Sequence, residues 1–159
     1  QDGRRREMKF ESLEKILLFA IEKERDAFDL YTFFSELVRD DSAGRLLREL
    51  AGQEAGHRRM LEDALASGTL GSIKGRREAR DLQLSDYMVV ETVTPASDPH
   101  QVMLFAMKKE QESYDLYREL LLNYGDTPLG GVFSTLAAEE LRHKETLESE
   151  YGTHFAQWL

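Results

Sequence analysis

The 159-residue chain contains no cysteine. That removes disulfides, zinc-thiolate sites, cysteine-ligated iron-sulfur centres and thiol catalysis together, and leaves oxygen and nitrogen as the donors for any metal. Long apolar runs are also missing: nothing approaches the roughly 18 residues needed to cross a bilayer. No charged-then-apolar leader with a small-residue cleavage site opens the sequence, so a cytoplasmic protein with no membrane partner is expected. Positive charge is in the minority. A net charge of -9 argues against nucleic acid or an anionic membrane as the main partner, and leaves some acids free to serve a metal. The opening "QDGRRREM" reads as a frayed terminus. What is present, 41% apolar residues, is ordinary for one compact domain with a real core.

The chain repeats itself. "LFAIEKERDAFDLY" (Leu18 to Tyr31) and "LFAMKKEQESYDLY" (Leu104 to Tyr117) agree at eight of fourteen positions, where unrelated segments share about one. Their offset is 86 positions, and "LAGQEAGH" (Leu50 to His57) falls on "LAAEELRH" (Leu136 to His143) at the same offset. Such agreement without a gap marks an internal duplication.

Each copy reads as two helices. Ser12 is the expected N-cap of the first, with Glu14 in its opening turn. Leu13, Ile16, Leu17, Ala20, Ala27, Phe28, Tyr31 and Leu37 then keep the helical period to about Arg39. "RDDSAG" is the expected turn, followed by a helix from about Ala43 to Ala66 that stops before Gly68. In the second copy Asp98 and Pro99 are the expected N-cap and first helical residue, "YGDTPLG" the turn, and Thr127 and Pro128 the start of the last helix. Residues 12–67 and 98–151 are thus two helical hairpins within a single domain, 1–159. The connection 68–97 holds glycine and proline, and one short helix is expected after Ser85. A helix of 24 residues is about 36 Å long, and some 30 residues of connection can run that distance. The predicted fold is an all-α four-helix bundle of two duplicated hairpins joined by one long crossover.

Polar residues sit on the faces that should be buried. Glu24 shares its face with Leu17, Ala20, Ala27, Phe28 and Tyr31; Glu54 and His57 share theirs with Leu47, Leu50, Leu61 and Leu65. The second copy repeats this with Glu110 among Met103, Ala106, Met107, Tyr114 and Tyr117, and with Glu140 and His143 among Phe133, Leu136 and Leu147. Glu22, Asp26, Glu112 and Glu139 are expected to face solvent. Counted from the hairpin turn, Glu24, Glu54 and His57 match in depth to within about 4.5 Å. Four carboxylates and two imidazoles therefore converge on one level of the core.

Four buried carboxylates without counter-charge would each cost several kcal/mol or take up protons. Two divalent cations balance them, and two Glu with two Glu-x-x-His units can supply bridging and terminal ligands for both. A single Glu-x-x-His is commonly a surface pair or a polar core contact. Two in register, each with a partner Glu at the same depth, are the pattern of a metal centre. Iron or manganese suits the donors, and zinc can be accommodated. His100 and His154 have no such context. Tyr31 and Tyr117, two turns past the helix glutamates, can bond a ligand or simply pack.

From Ser12 to Tyr151 this order of residues resembles the ferritin-like superfamily, and within it the rubrerythrin group of di-iron carboxylate proteins. The resemblance implies Glu24 and Glu110 as terminal ligands, Glu54 and Glu140 as bridging ligands, His57 and His143 as nitrogen ligands, and two iron ions as the cofactor. Two departures stand out. Rubrerythrins carry an extra glutamate three residues after the third-helix ligand, where this chain has Ser113. They also end in a cysteine-ligated rubredoxin domain, so here electrons are expected from another protein or a small reductant. Bacterioferritin has the same six ligands, but ferritin cages add a fifth helix, and only "YGTHFAQWL" follows; a homodimer is expected. The implied activity is a non-haem di-iron peroxidase or ferroxidase acting on peroxide, dioxygen or ferrous iron. Iron sequestration or delivery is the alternative from a binding class, and a metal-free structural bundle the third.

Overall fold

The computed structural model describes residues 12–73, 84–87, 94 and 97–158. The arginine-rich "QDGRRREM" and most of the 68–97 connection lie outside them. Ser12 accepts the Lys15 backbone N–H at 3.2 Å and opens α1, Leu13–Leu37. Asp40 then accepts the Ala43 N–H at 2.8 Å and opens α2, Asp41–Ala66. The sequence placed that start two residues later. An aspartate at the N-cap satisfies an orphan amide at once, so the turn closes sooner and Gly44 lies inside the helix. Ser67 follows α2, and Gly68, at φ 74°, takes the left-handed conformation that stops it.

In the connection, a short α3 spans Thr69–Ile73 and a single 3-10 turn spans Leu84–Tyr87, where the short helix was expected. The buried Lys23 of α1 donates to the Tyr87 carbonyl at 2.5 Å, which ties this turn to the bundle. Asp98 and Gln101 form a reciprocal capping box with Pro99 in the first turn, opening α4, Pro99–Tyr124. The last long helix, α5, spans Gly130–Thr153, and a short α6, Phe155–Trp158, follows it.

Thr127 and Pro128 do not open α5, contrary to the sequence reading. The Thr127 hydroxyl is turned back onto the Tyr124 carbonyl at 2.6 Å, and its own carbonyl accepts Gly130 N–H at 3.0 Å. Both residues are thereby spent on a tight turn, and α5 begins after Leu129 without a side-chain cap.

Two apolar blocks make the core. One gathers Ile16, Leu17 and Ala20 of α1, Leu61 and Ala64 of α2, Leu116 to Tyr124 of α4, and Phe133 to Ala137 of α5. The other gathers Ala27 to Phe34 of α1, Ala43 to Ala51 of α2, Val102 to Ala106 of α4, and Leu147 of α5, closed by Phe155 and Trp158. The blocks therefore give the helix directions: α1 and α5 run from the first to the second, α2 and α4 the reverse. Two hairpins whose adjoining strands of chain, α2 and α4, run in the same sense need one long crossover between them. This is an all-α ferritin-like bundle, with no strand among the described residues, and none of its described helices is long and apolar enough to cross a membrane. One residue expected on the buried face differs: Phe28 is 37% exposed, because the inner stripe of α1 runs through Ala27 and Tyr31 and leaves position 28 at its rim.

The turn before α5 leaves no space for a side chain at Gly130, where an added Cβ would stand 2.2 Å from the Gly125 carbonyl oxygen. Gly130→Ala is therefore expected to lower stability by about 1–3 kcal/mol, read as a lower urea midpoint with unchanged helical content. A midpoint equal to that of the parent chain would refute the close approach.

Candidate metal centre

Between the two apolar blocks lies a polar layer. Glu24 enters it from α1, Glu54 and His57 from α2, Glu110 from α4, and Glu140 and His143 from α5; each is at most 2% exposed. All six residues singled out in the sequence are brought together. Donor atoms of Glu24, Glu54, His57 and Glu140 lie within 4.8 Å of one another, and so do those of Glu54, Glu110, Glu140 and His143. Glu54 and Glu140 belong to both groups.

The imidazoles of His57 and His143 stack face to face, 5.5 Å between centroids and 10° apart. Each turns Nδ1 toward the carboxylates of the opposite hairpin: His57 Nδ1 is 2.6 Å from Glu140 Oε1, and His143 Nδ1 is 2.7 Å from Glu54 Oε1. Each Nε2 faces outward, His57 onto Glu139 Oε1 at 2.7 Å and His143 onto Gln53 Oε1.

The tyrosines work across the hairpins as well. Tyr117 donates its hydroxyl to Glu24 Oε1 at 2.5 Å, and Tyr31 donates to Glu110 Oε1. Each therefore serves the first-helix glutamate of the other copy, which its own helix spacing did not foretell. The hydroxyl fixes one oxygen of each carboxylate, so the other must face the cluster: Glu24 Oε2 lies 3.5 Å from His57 Nδ1 and Glu110 Oε2 3.7 Å from His143 Nδ1. These two oxygens, with Glu140 Oε2, are buried without a hydrogen-bond partner.

Such crowding holds protons. Burial, then the charges of Glu110, Glu140 and Glu24, pushes Glu54 well above the usual carboxylate range, and burial with Glu110 and Glu24 does the same to Glu140. Burial also acts to raise Glu110, but hydrogen bonds from Glu140, His143 and Tyr31 prevail and hold it below its ordinary value. Burial alone would lower His57, yet its bond to Glu140 and the nearby Glu24 raise it to about 11. Both tyrosines are raised well above 10 by burial and by the carboxylate each touches, so they remain protonated donors.

A buried carboxylate oxygen with no donor costs a few kcal/mol or more. Divalent cations fit the arrangement: they would supply the missing partner to three oxygens, and two of them would balance four carboxylates. Inward Nδ1 atoms with outward Nε2–H donors are the tautomer a ligating imidazole needs.

Two contributors escaped the sequence reading. Glu139 was expected in solvent, but its side chain is only 32% exposed and bonds His57; it lies one step round the helix from the inner stripe, close enough for its length to reach back. Gln53 was not singled out. Both immediately precede a shared glutamate and are related by the 86-position offset, which was the available signal. His100 packs edge-on against Tyr151 and Phe155, and His154 bonds Glu150 at 3.1 Å, both away from the layer.

A family model described as rubrerythrin matches residues 15–151. No curated protein and no solved structure matches the chain significantly.

Cations bind deprotonated carboxylate and neutral imidazole. Because Glu54, Glu140 and His57 are shifted toward their protonated forms, binding must displace protons, and affinity must rise with pH. Calorimetry with Co2+ near pH 7, in buffers of different ionisation enthalpy, is expected to show release of about one proton or more per ion. Proton uptake, or an affinity that falls between pH 6 and 8, would contradict these shifts.

Proposed function

The chain belongs to the rubrerythrin family, and from that premise we propose that it is a non-haem di-iron oxidoreductase that reduces peroxide or dioxygen, or oxidises ferrous iron. The observation that carries this reading is the pair of four-residue groups sharing Glu54 and Glu140, with three of their buried oxygens unpartnered. Glu24 and His57 would hold one ion and Glu110 and His143 the other, with Glu54 and Glu140 shared between the two groups. When bound, a ferrous pair supplies two electrons to the oxidant and Lewis acidity toward the reduced oxygen.

The chain's own residues do the remainder. Tyr31 and Tyr117 orient the terminal carboxylates through hydrogen bonds to one oxygen each. The apolar blocks on both sides exclude bulk water and strengthen every charge interaction between them.

The 159 residues hold no cysteine and so no cysteine-ligated electron donor of their own; we propose that electrons arrive from a separate donor protein or a small reductant, and that the working unit is a homodimer. Iron retention without sustained catalysis is the second reading. Ser113 in place of the extra glutamate of rubrerythrins favours it, since the cluster lacks a carboxylate with which to change its ligation.

Elemental analysis is expected to find about two ions per chain. Loaded with ferrous iron and given a reductant, the protein is expected to consume hydrogen peroxide or dioxygen over many turnovers, faster than free iron does. Consumption of neither sinks the oxidoreductase proposal, and a single oxidation followed by retained iron supports storage. Glu54→Ala or Glu140→Ala is expected to lose both ions, whereas Glu24→Ala is expected to keep one. Unchanged metal content in the first two would refute their bridging role.

A further inference from the structure

The duplication reproduces the six site residues, the two tyrosines and the outward contact of each imidazole, but not the charge at that contact. His57 Nε2 meets the carboxylate of Glu139 at 2.7 Å, while His143 Nε2 meets the amide oxygen of Gln53. Positions 53 and 139 are duplicates of one another and flank the shared Glu54 and Glu140. We infer that Glu139 and Gln53 make the two metal positions unequal, so that the ion beside Glu24 and His57 is bound more tightly than the one beside Glu110 and His143. This rests on the two-ion reading above and adds to it an order of filling.

The physical ground is simple. An imidazole bound through Nδ1 must carry its proton on Nε2, and the acceptor of that proton sets how much electron density the ring offers. A carboxylate acceptor makes the ring a stronger donor than an amide does, and adds a full negative charge one ring-width from the cation. The buried Lys23 has a duplicate cation in Lys109, so a lysine accompanies each half. Lys109 lies over Phe105 at 5.7 Å, as Lys23 lies over Phe19 at 5.7 Å. The lysines therefore act on both halves, whereas Glu139 has no charged counterpart. Glu139 touches no proposed metal position itself; it is a positioning residue acting through His57.

The parent chain, Glu139→Gln and Gln53→Glu are to be titrated with Co2+ in competition with a chelator, following both stepwise dissociation constants and the hyperfine-shifted imidazole N–H signals. In the parent the two constants are expected to differ by about tenfold or more, with one N–H signal arising at the first equivalent. Glu139→Gln should weaken the tighter step by about 10–100-fold, shift that first signal and narrow the gap. Gln53→Glu should tighten the weaker step instead, a gain that a merely structural role cannot produce. Thermal unfolding of the metal-free variants should match the parent, so that lost affinity is not lost fold. One common constant in the parent, equal weakening of both steps in Glu139→Gln, or no gain in Gln53→Glu overturns the inference. If the parent binds no ion at all, the metal reading itself falls, and this inference with it.

Discussion

Mutual repulsion among four carboxylates, in a layer that water does not reach, is the constraint on which the rest of this molecule depends. Glu24, Glu54, Glu110 and Glu140 are each at most 1% exposed. Apolar contacts above and below hold them there: Tyr31, Phe34, Leu47 and Met103 on one side, Leu17, Leu61, Tyr117 and Phe133 on the other are fully buried. Burying a large apolar side chain stabilises by about 1.5–3 kcal/mol, so two such blocks can offset an expensive polar layer. The layer remains expensive until counter-charge arrives. The fold is thus a frame that keeps acids close despite their repulsion, and that condition makes them attractive to cations.

The polar layer is built by reciprocity between the hairpins. His57 meets Glu140 and His143 meets Glu54; Tyr31 meets Glu110 and Tyr117 meets Glu24. Every one of these bonds joins the first copy to the second. A single hairpin would hold a glutamate and a Glu-x-x-His unit but none of these partners, so the site and the docking of the halves form together. The antiparallel pairing of α1 with α4, and of α2 with α5, follows from the same bonds, since a residue later on one helix meets one earlier on the other. The long connection, tied down by Lys23 on the Tyr87 carbonyl, is what permits that arrangement.

Much of this was legible in the residues because periodicity and duplication are local facts. The inward face of each helix, the caps at Ser12 and Asp98, the stop at Gly68 and the shared depth of the six polar groups all follow from spacing alone. What spacing cannot reveal is how far a side chain reaches across to another helix. Glu139 falls off the inner stripe and reads as solvated, yet a glutamate is long enough to curl back to His57. Tyr31 reads as a neighbour of Glu24, seven residues earlier on its own helix, but bonds Glu110 because α4 passes beside it. Thr127 and Pro128 carry a good helix-start pattern, and lose to a turn in which the Thr127 hydroxyl finds the Tyr124 carbonyl first. In each case a through-space partner overrode a sequence rule.

The positions three residues past the terminal glutamates complete the logic. They are Ala27 and Ser113, both small and buried, and the second is one of the two departures from the rubrerythrin pattern, which has a glutamate there. Neither residue belongs to the two clusters found among the described residues. With no further carboxylate in either cluster among the described residues, the six groups form a set whose two halves are chemically alike: one glutamate and one imidazole each, with two glutamates in common. Any division of labour between the halves must then come from groups outside that set. The tyrosines cannot supply it, since each copy has one in the same place. Among the contacts made by the duplicated site residues, the outward hydrogen bond of the imidazoles is where the copies differ in charge, and so a residue passed over as solvated becomes the point at which a symmetric frame acquires a direction.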